Sequence, residues 1–326
     1  MQLARLTGFV PVHLAVAANG EPILSWNIFA DLQDMLQYPF MQHAFAAGTI
    51  IAVLAAVVGY FVVLRGMTFA SHTLANIGFA GAAGAVLVGS PPVYGLLTFT
   101  LVGALGISAL GRRLAGRDVV VGIVLAMALA LGFLFIALYH GYATNAYAIL
   151  FGDVLGVSQQ DVLIALLIGI VALGALALLF RPLLFASVDE DVAEARGLPV
   201  RLLATVFLVL VGLVVAEAVQ IVGVLLIFAL LVTPAAIAER LTTRPAQTML
   251  LAVGIALVVT WLGIFIAYYY PYPLGFFISS LAFASYLAAR LGEFVYQRVR
   301  RPRVDSAPMT TGDLFGKSEI QEGGAV

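Results

Sequence analysis

The chain has 326 residues, of which 63% are hydrophobic and only 10% charged, with a formal net charge of −1 and a mean hydropathy of +1.08. So few charges cannot coat a water-exposed surface, and the apolar runs repeatedly reach the roughly 20 residues that cross about 30 Å of hydrocarbon as a helix. The composition therefore indicates an all-α polytopic membrane helical bundle and excludes a water-soluble enzyme; the absence of cysteine also excludes a disulfide framework and a thiolate metal site.

Residues 1–38 form a polar, interfacial lead with Asp31, Gln33, Asp34 and Gln37 near its end. The opening run MQLARLTGFVPVHLAVAANG is broken by Pro11 and His13, which argues against a cleaved signal peptide. The membrane region, residues 39–292, begins with a span over about Phe40 to Leu64 that stops at Arg65. A second runs from about Phe69 to Val88, Ser90-Pro91-Pro92 turns the chain, and a third reaches about Leu110. Arg112, Arg113 and Arg117 follow, then a fourth span from Val119 to Tyr139. The next connection has no Lys or Arg; a fifth span, about Val162 to Phe180, opens at Arg181 into the most charged internal segment, SVDEDVAEARGLPVR. Leu202 to Ala238 is too long for one helix and predicts two meeting near Gln220 to Gly223. An eighth span, about Thr248 to Tyr269, reaches the turn YYYPYP, and a ninth, about Leu274 to Ala289, ends in Arg290. The tail, residues 293–326, is basic and then polar, and predicts a disordered cytosolic segment.

Short loops rich in Lys and Arg stay in the cytoplasm. With Arg65 inside, alternation also places the loops of Arg112/Arg113/Arg117, Arg181 to Arg201 and Arg240/Arg244 inside, with the tail. The loops at Pro91, His140 to Gln160 and Pro271 fall outside and lack basic residues. Nine spans with an external N-terminus satisfy every loop, although Arg5 sits on the wrong side and a re-entrant segment reduces the count to eight. The expected location is the cell (inner or plasma) membrane, multi-pass.

Two ligand-capable side chains, His72 and Asn76, lie four residues apart on one face of the second span, and a bilayer makes such groups too costly to keep without a role. A polar pathway and a structural hydrogen bond across a glycine-rich contact both fit. Glu217, three residues before Gln220 on a helical face, reads either as a second polar patch along a pore or as a structural hydrogen bond near the outer boundary. Gly78, Gly81, Gly84 and Ala85 form a small-residue stripe suited to close helix packing. His140, Asn145 and Asp153 lie in an external loop and read as solvated, or as a contact for an incoming metal or binding protein. The segment from Asp189 to Arg201, ending in Gly197-Leu198-Pro199, predicts a short cytoplasmic amphipathic helix that is either a docking element or a solvated connector. No G-x-x-x-x-G-K-[ST] loop occurs, so if transport here is powered by ATP another chain supplies the hydrolysis. No nucleic-acid partner and no tightly bound cofactor are expected.

Four segments carry a family resemblance: FVVLRGMTF before the second span, FGDVLGVS at Phe151 to Ser158, FASVDEDVAEARGLPVR, and above all VQIVGVLLIFALLVTPAAIAERL from Val219 to Leu241. In content and order, over roughly Phe40 to Leu291, they resemble the integral-membrane permeases of ABC importers for zinc and manganese, the ABC-3 family. The resemblance implies a homodimer, a cytosolic ABC ATPase, an extracytoplasmic metal-binding protein, and transported Zn²⁺ or Mn²⁺ as cargo. It further implies that residues 186–200 hold a coupling helix, with Asp189, Glu190, Glu194, Arg196 and Gly197 at the ATPase. Where the family's second span commonly reads G-D-x-x-x-H, this chain has His72 and Asn76 at the Asp and His positions. The exchange removes a fixed negative charge and slightly favours zinc over manganese, since imidazole is a good zinc ligand and a carboxamide oxygen a weaker one. His72, Asn76 and Glu217 are the expected pathway residues. A siderophore- or vitamin-type ABC permease and an ion-coupled secondary transporter using Glu217 remain as alternatives, though no internal repeat supports the latter.

Overall fold

An unpaired backbone amide or carbonyl in hydrocarbon costs several kcal/mol, so each apolar run satisfies its backbone internally as a helix. The computed structural model describes residues 28–110, 117–139, 151–152, 154–270 and 272–300. Its helices are α1 (Ile28–Met35), α2 (Pro39–Leu64), α3 (Thr68–Leu87), α4 (Pro92–Leu110), α5 (Arg117–Leu138), α6 (Gln159–Val188), α7 (Glu190–Ala195), α8 (Val200–Val222), α9 (Val224–Leu241), α10 (Pro245–Tyr269) and α11 (Leu274–Arg300). Arg5, Arg112, Arg113, His140, Asn145, Asp153 and the tail after Arg300 lie outside the described residues.

Among the described residues, eight helices are long and apolar enough to cross a membrane: α2, α4, α5, α6, α8, α9, α10 and α11. The remaining long helix, α3, has 20 residues but carries Ser71, His72, Thr73 and Asn76. It packs against α4, α5, α8 and α9. From Ala70 to Ala83 every α3 residue is buried except His72, which is half-buried. These polar groups thus lie on a helix lined by protein on most sides, where polar groups in a membrane are tolerated.

Close packing around α3 uses the glycine stripe. A Cβ added at Gly81 would overlap the Gly95 carbonyl of α4, and one at Gly95 would overlap the Gly81 carbonyl. Gly78 faces Thr100 and Leu96, and Gly84 faces the ring of Phe135. The packing role expected of these residues is what the structure shows. On the other side, α2 packs against α6, α8, α9 and α10, with Gly59 against the Leu231 carbonyl.

The long apolar run divides at Gly223, whose φ of +87° ends α8 and starts α9. Gly152, in the connection between α5 and α6, lies against the backbone of Val222 at this junction. Chain ends that the arginine pattern assigns to one side meet each other: at the other face, Arg65 at the end of α2 donates to Ser187 Oγ near the end of α6, 3.3 Å. Two boundaries differ from the sequence expectation. The helix predicted to end at Phe180 continues through Arg181 and Pro182 to Val188, and the last helix continues past Ala289 to Arg300. Charge marks where a helix leaves hydrocarbon and does not stop its hydrogen bonding, and Pro182 removes only one bond.

The chain divides into two compact units, Met1–Tyr286 and Leu287–Val326. The first holds the helices from α1 to the start of α11; in the second, the guanidinium of Arg298 lies 5.7 Å from the Phe294 ring centroid.

Candidate metal pathway and cytoplasmic docking helix

His72 sits in the second turn of α3, and Asn76 one turn further on. The Asn76 side-chain amide donates to the His72 carbonyl oxygen at 2.9 Å and lies 3.4 Å from His72 Nε2. An NH₂ group can only donate, so the contact to Nε2 is a hydrogen bond only in the tautomer that carries its proton on Nδ1. Nδ1 is buried and has no hydrogen-bond partner among the described residues. The edge of the ring meets Phe228 of α9, with centroids 4.9 Å apart at 64°.

This arrangement has a chemical consequence. In the tautomer protonated on Nδ1 the imidazole offers no free lone pair to a cation, whereas with the proton on Nε2 the unpartnered Nδ1 offers one.

Glu217 is only 3% exposed in α8, beside half-buried Gln220 one turn on. It lies within electrostatic reach of Asp161 in the first turn of α6. No hydrogen bond or ion pair among the described residues joins Glu217 to His72 or Asn76, and no group of three or more His, Cys, Asp or Glu placed to hold a metal occurs among them. The structure thus puts two of the three expected pathway residues in contact and shows no bond from the third to either among the described residues. Phe228 gave no sequence signal, being one apolar residue in an apolar run.

At the end of α6 that the arginine pattern assigns to the cytoplasm, Asp189 closes the helix and caps α7: its carboxylate accepts from the Val192 amide at 3.0 Å. The other end of α7 has paired closing bonds, from the Leu198 amide to the Ala193 carbonyl and from the Gly197 amide to the Glu194 carbonyl, with Gly197 at φ +82°. Ala193 is fully buried, whereas Glu190, Asp191, Val192 and Glu194 are exposed. Arg196 turns back, its guanidinium 5.5 Å from the Phe185 ring centroid on α6. Arg65, read from sequence only as a topological marker, reaches Ser187 and lies 6.0 Å from the Phe207 ring centroid of α8. It therefore joins α2, α6 and α8 two residues from the Asp189 cap.

Comparison with known proteins places these features in context. Residues 37–292 match the family described as the ABC 3 transport family. The manganese transport system membrane protein MntC of Listeria monocytogenes is 32% identical over 238 residues, 73% of this chain and 85% of that protein. The manganese import system permease protein ScaB of Streptococcus parasanguinis is also 32% identical, over 73% of this chain and 85% of its own length. The chelated iron transport system membrane protein YfeC of Yersinia pestis is 28% identical, over 79% and 88%. Among solved structures, PsaBC from Streptococcus pneumoniae in complex with Fab aligns with a TM-score of 0.72 at 30% identity, covering 80% of this chain and 95% of that one. With the match spanning the bundle from α2 to the ninth long helix, the chain belongs to the ABC 3 transport family, as a multi-pass membrane permease.

Proposed function

We propose that the chain is the membrane-spanning half of an ATP-binding cassette importer for a divalent transition metal, working as a homodimer. Its ATPase would be a separate cytosolic subunit seated against the exposed face of α7, and an extracytoplasmic binding protein would deliver the metal. Membership of the ABC 3 family over residues 37–292 carries this reading. Manganese is the first candidate cargo, because relatives 32% identical are named as manganese permeases. That reverses the slight preference for zinc drawn from His72. Zinc stands second, supported by the imidazole.

The pathway reading rests on His72 and Asn76: they are polar, adjacent and inside the bundle, and His72 is the one half-buried position along the buried length of α3. Glu217 is a separate acidic point nearer the α6 start, where a carboxylate would attract a cation before it reaches the imidazole. The test is uptake of radioactive ⁵⁴Mn²⁺ and ⁶⁵Zn²⁺ by cells carrying the chain with its ATPase. Saturable manganese uptake that excess zinc inhibits weakly supports the manganese assignment; no metal-dependent uptake of either ion sinks it. YfeC favours a second reading, uptake of a chelated metal. Uptake that needs a chelator in the medium would select that reading.

A further inference from the structure

A cavity of about 530 Å³ lies between α2, α6 and α10. Val57, Leu173, Leu176, Phe180 and Met249 line it, and Arg181 stands beside Pro182 where α6 leaves the lining. Arg181 is exposed, and no hydrogen bond or ion pair holds its guanidinium among the described residues.

The depth of this arginine follows from helix geometry. The Ser158–Asp161 capping box fixes the start of α6. Arg181 is 22 residues beyond Gln159, and at 1.5 Å per residue it lies about 33 Å along the helix, one hydrocarbon thickness. The same end of α6 carries Ser187, tied to Arg65 on the arginine-rich side. Arg181 therefore reaches the cytoplasmic headgroup level while the rest of the cavity lies at acyl-chain depth. Pro182 shapes the groove: it has no N–H for the Leu178 carbonyl and its ring pushes that carbonyl aside. Leu178 itself is 84% exposed on the open side. Arg244 caps the N-terminus of α10, just over one turn before Met249, adding a second positive charge and a helix N-terminus at the same level.

We propose that this groove is a binding site for an anionic phospholipid, with one acyl chain against Val57, Leu176 and Met249 and the phosphate on Arg181. A zwitterionic lipid fills the same apolar space but brings its own cation to the arginine. A free anion gains nothing from an apolar lining. Basic pockets between membrane helices at the cytoplasmic level are suited to anionic headgroups. The site is independent of which metal the protein moves.

The experiment is native mass spectrometry of the delipidated, purified chain titrated with phosphatidylglycerol or phosphatidylcholine. Wild-type protein is expected to retain phosphatidylglycerol in preference to phosphatidylcholine, and excess inorganic phosphate is expected not to displace it. Arg181→Gln should weaken phosphatidylglycerol retention on the order of five- to tenfold, and Arg181→Lys should restore most of it. Ala177→Trp, which fills the exposed side of the groove, should weaken both lipids while leaving elution volume and thermal melting unchanged. Equal retention of the two lipids by the wild type, or unchanged retention by Arg181→Gln, overturns the proposal. So does an efficient disulfide between two Ala177→Cys copies, because a second copy of the chain then occupies the groove.

Discussion

His72 and Asn76 were visible in the sequence because two polar groups on one face of an apolar helix stand out against the solvent that surrounds it. What sequence could not supply was which ring nitrogen faces Asn76, namely Nε2 at 3.4 Å, and that Nδ1 is the buried atom without a partner among the described residues. Replacing His72 by Ala is expected to abolish manganese- or zinc-dependent growth under metal limitation at unchanged protein level, and His72→Asp to restore part of it, since a carboxylate needs no tautomer change to accept a cation. Wild-type ⁵⁴Mn²⁺ uptake by the His72→Ala protein would assign the residue to packing against Phe228 alone. Asn76→Ala separates the two roles. If Asn76 acts by orienting the imidazole, apparent metal affinity should fall on the order of 10- to 100-fold, the range seen when groups that orient a metal ligand are removed. Normal affinity in that variant would show that Asn76 does not set the ring's state.

Element boundaries were legible wherever composition changes abruptly and obscure where it does not. Gly223 broke an apolar run that hydropathy alone could not divide, and its positive φ is the physical reason. By contrast, α6 passed through Arg181 and Pro182 without stopping, because a charge does not interrupt backbone hydrogen bonding and the proline removes a single bond. The glycine stripe was readable as a packing face, but not that Gly81 meets Gly95 backbone to backbone, since a partner on another helix is not encoded locally. Gly81→Leu should therefore force α3 and α4 apart, costing roughly 1–3 kcal/mol or more, read as a lower melting temperature in detergent. An unchanged melting temperature would contradict the contact. At α7 the structure divides a role that sequence assigned jointly to Glu194 and Arg196. Glu194 faces outward, whereas Arg196 lies over Phe185 and holds the helix to α6. Glu190→Ala with Glu194→Ala is expected to weaken association with the ATPase, while Arg196→Ala should keep association and lower the coupling of ATP hydrolysis to uptake. The double variant Glu194→Ala with Arg196→Ala should lose uptake while remaining in the membrane; normal ATPase association and normal uptake in it would remove α7 from the docking surface.

At the level of the whole chain, orientation follows from where the arginines are not. The Pro91 turn and the tyrosine-proline turn before Leu274 contain no basic residue, whereas Arg65 and Arg244 mark the opposite ends of α3 and α10. The structure supports this pairing by bringing Arg65 to Ser187 on one side and Gly152 to the Val222 backbone on the other. Because the chain lacks cysteine, single thiols report orientation without background. Ser90→Cys and Tyr272→Cys, both at exposed positions, should react with a membrane-impermeant maleimide in intact cells. Ser187 is a poor internal marker, since its hydroxyl is half-buried and bonded to the Leu183 carbonyl and to Arg65, so a thiol there would stay silent from either side. Glu190→Cys is exposed in α7 and is the better choice. It should resist the reagent in intact cells and react fully once the membrane is opened. Labelling of Glu190→Cys from outside, together with protection of Ser90→Cys, would invert the chain in the membrane and put α7 on the side opposite any cytosolic ATPase.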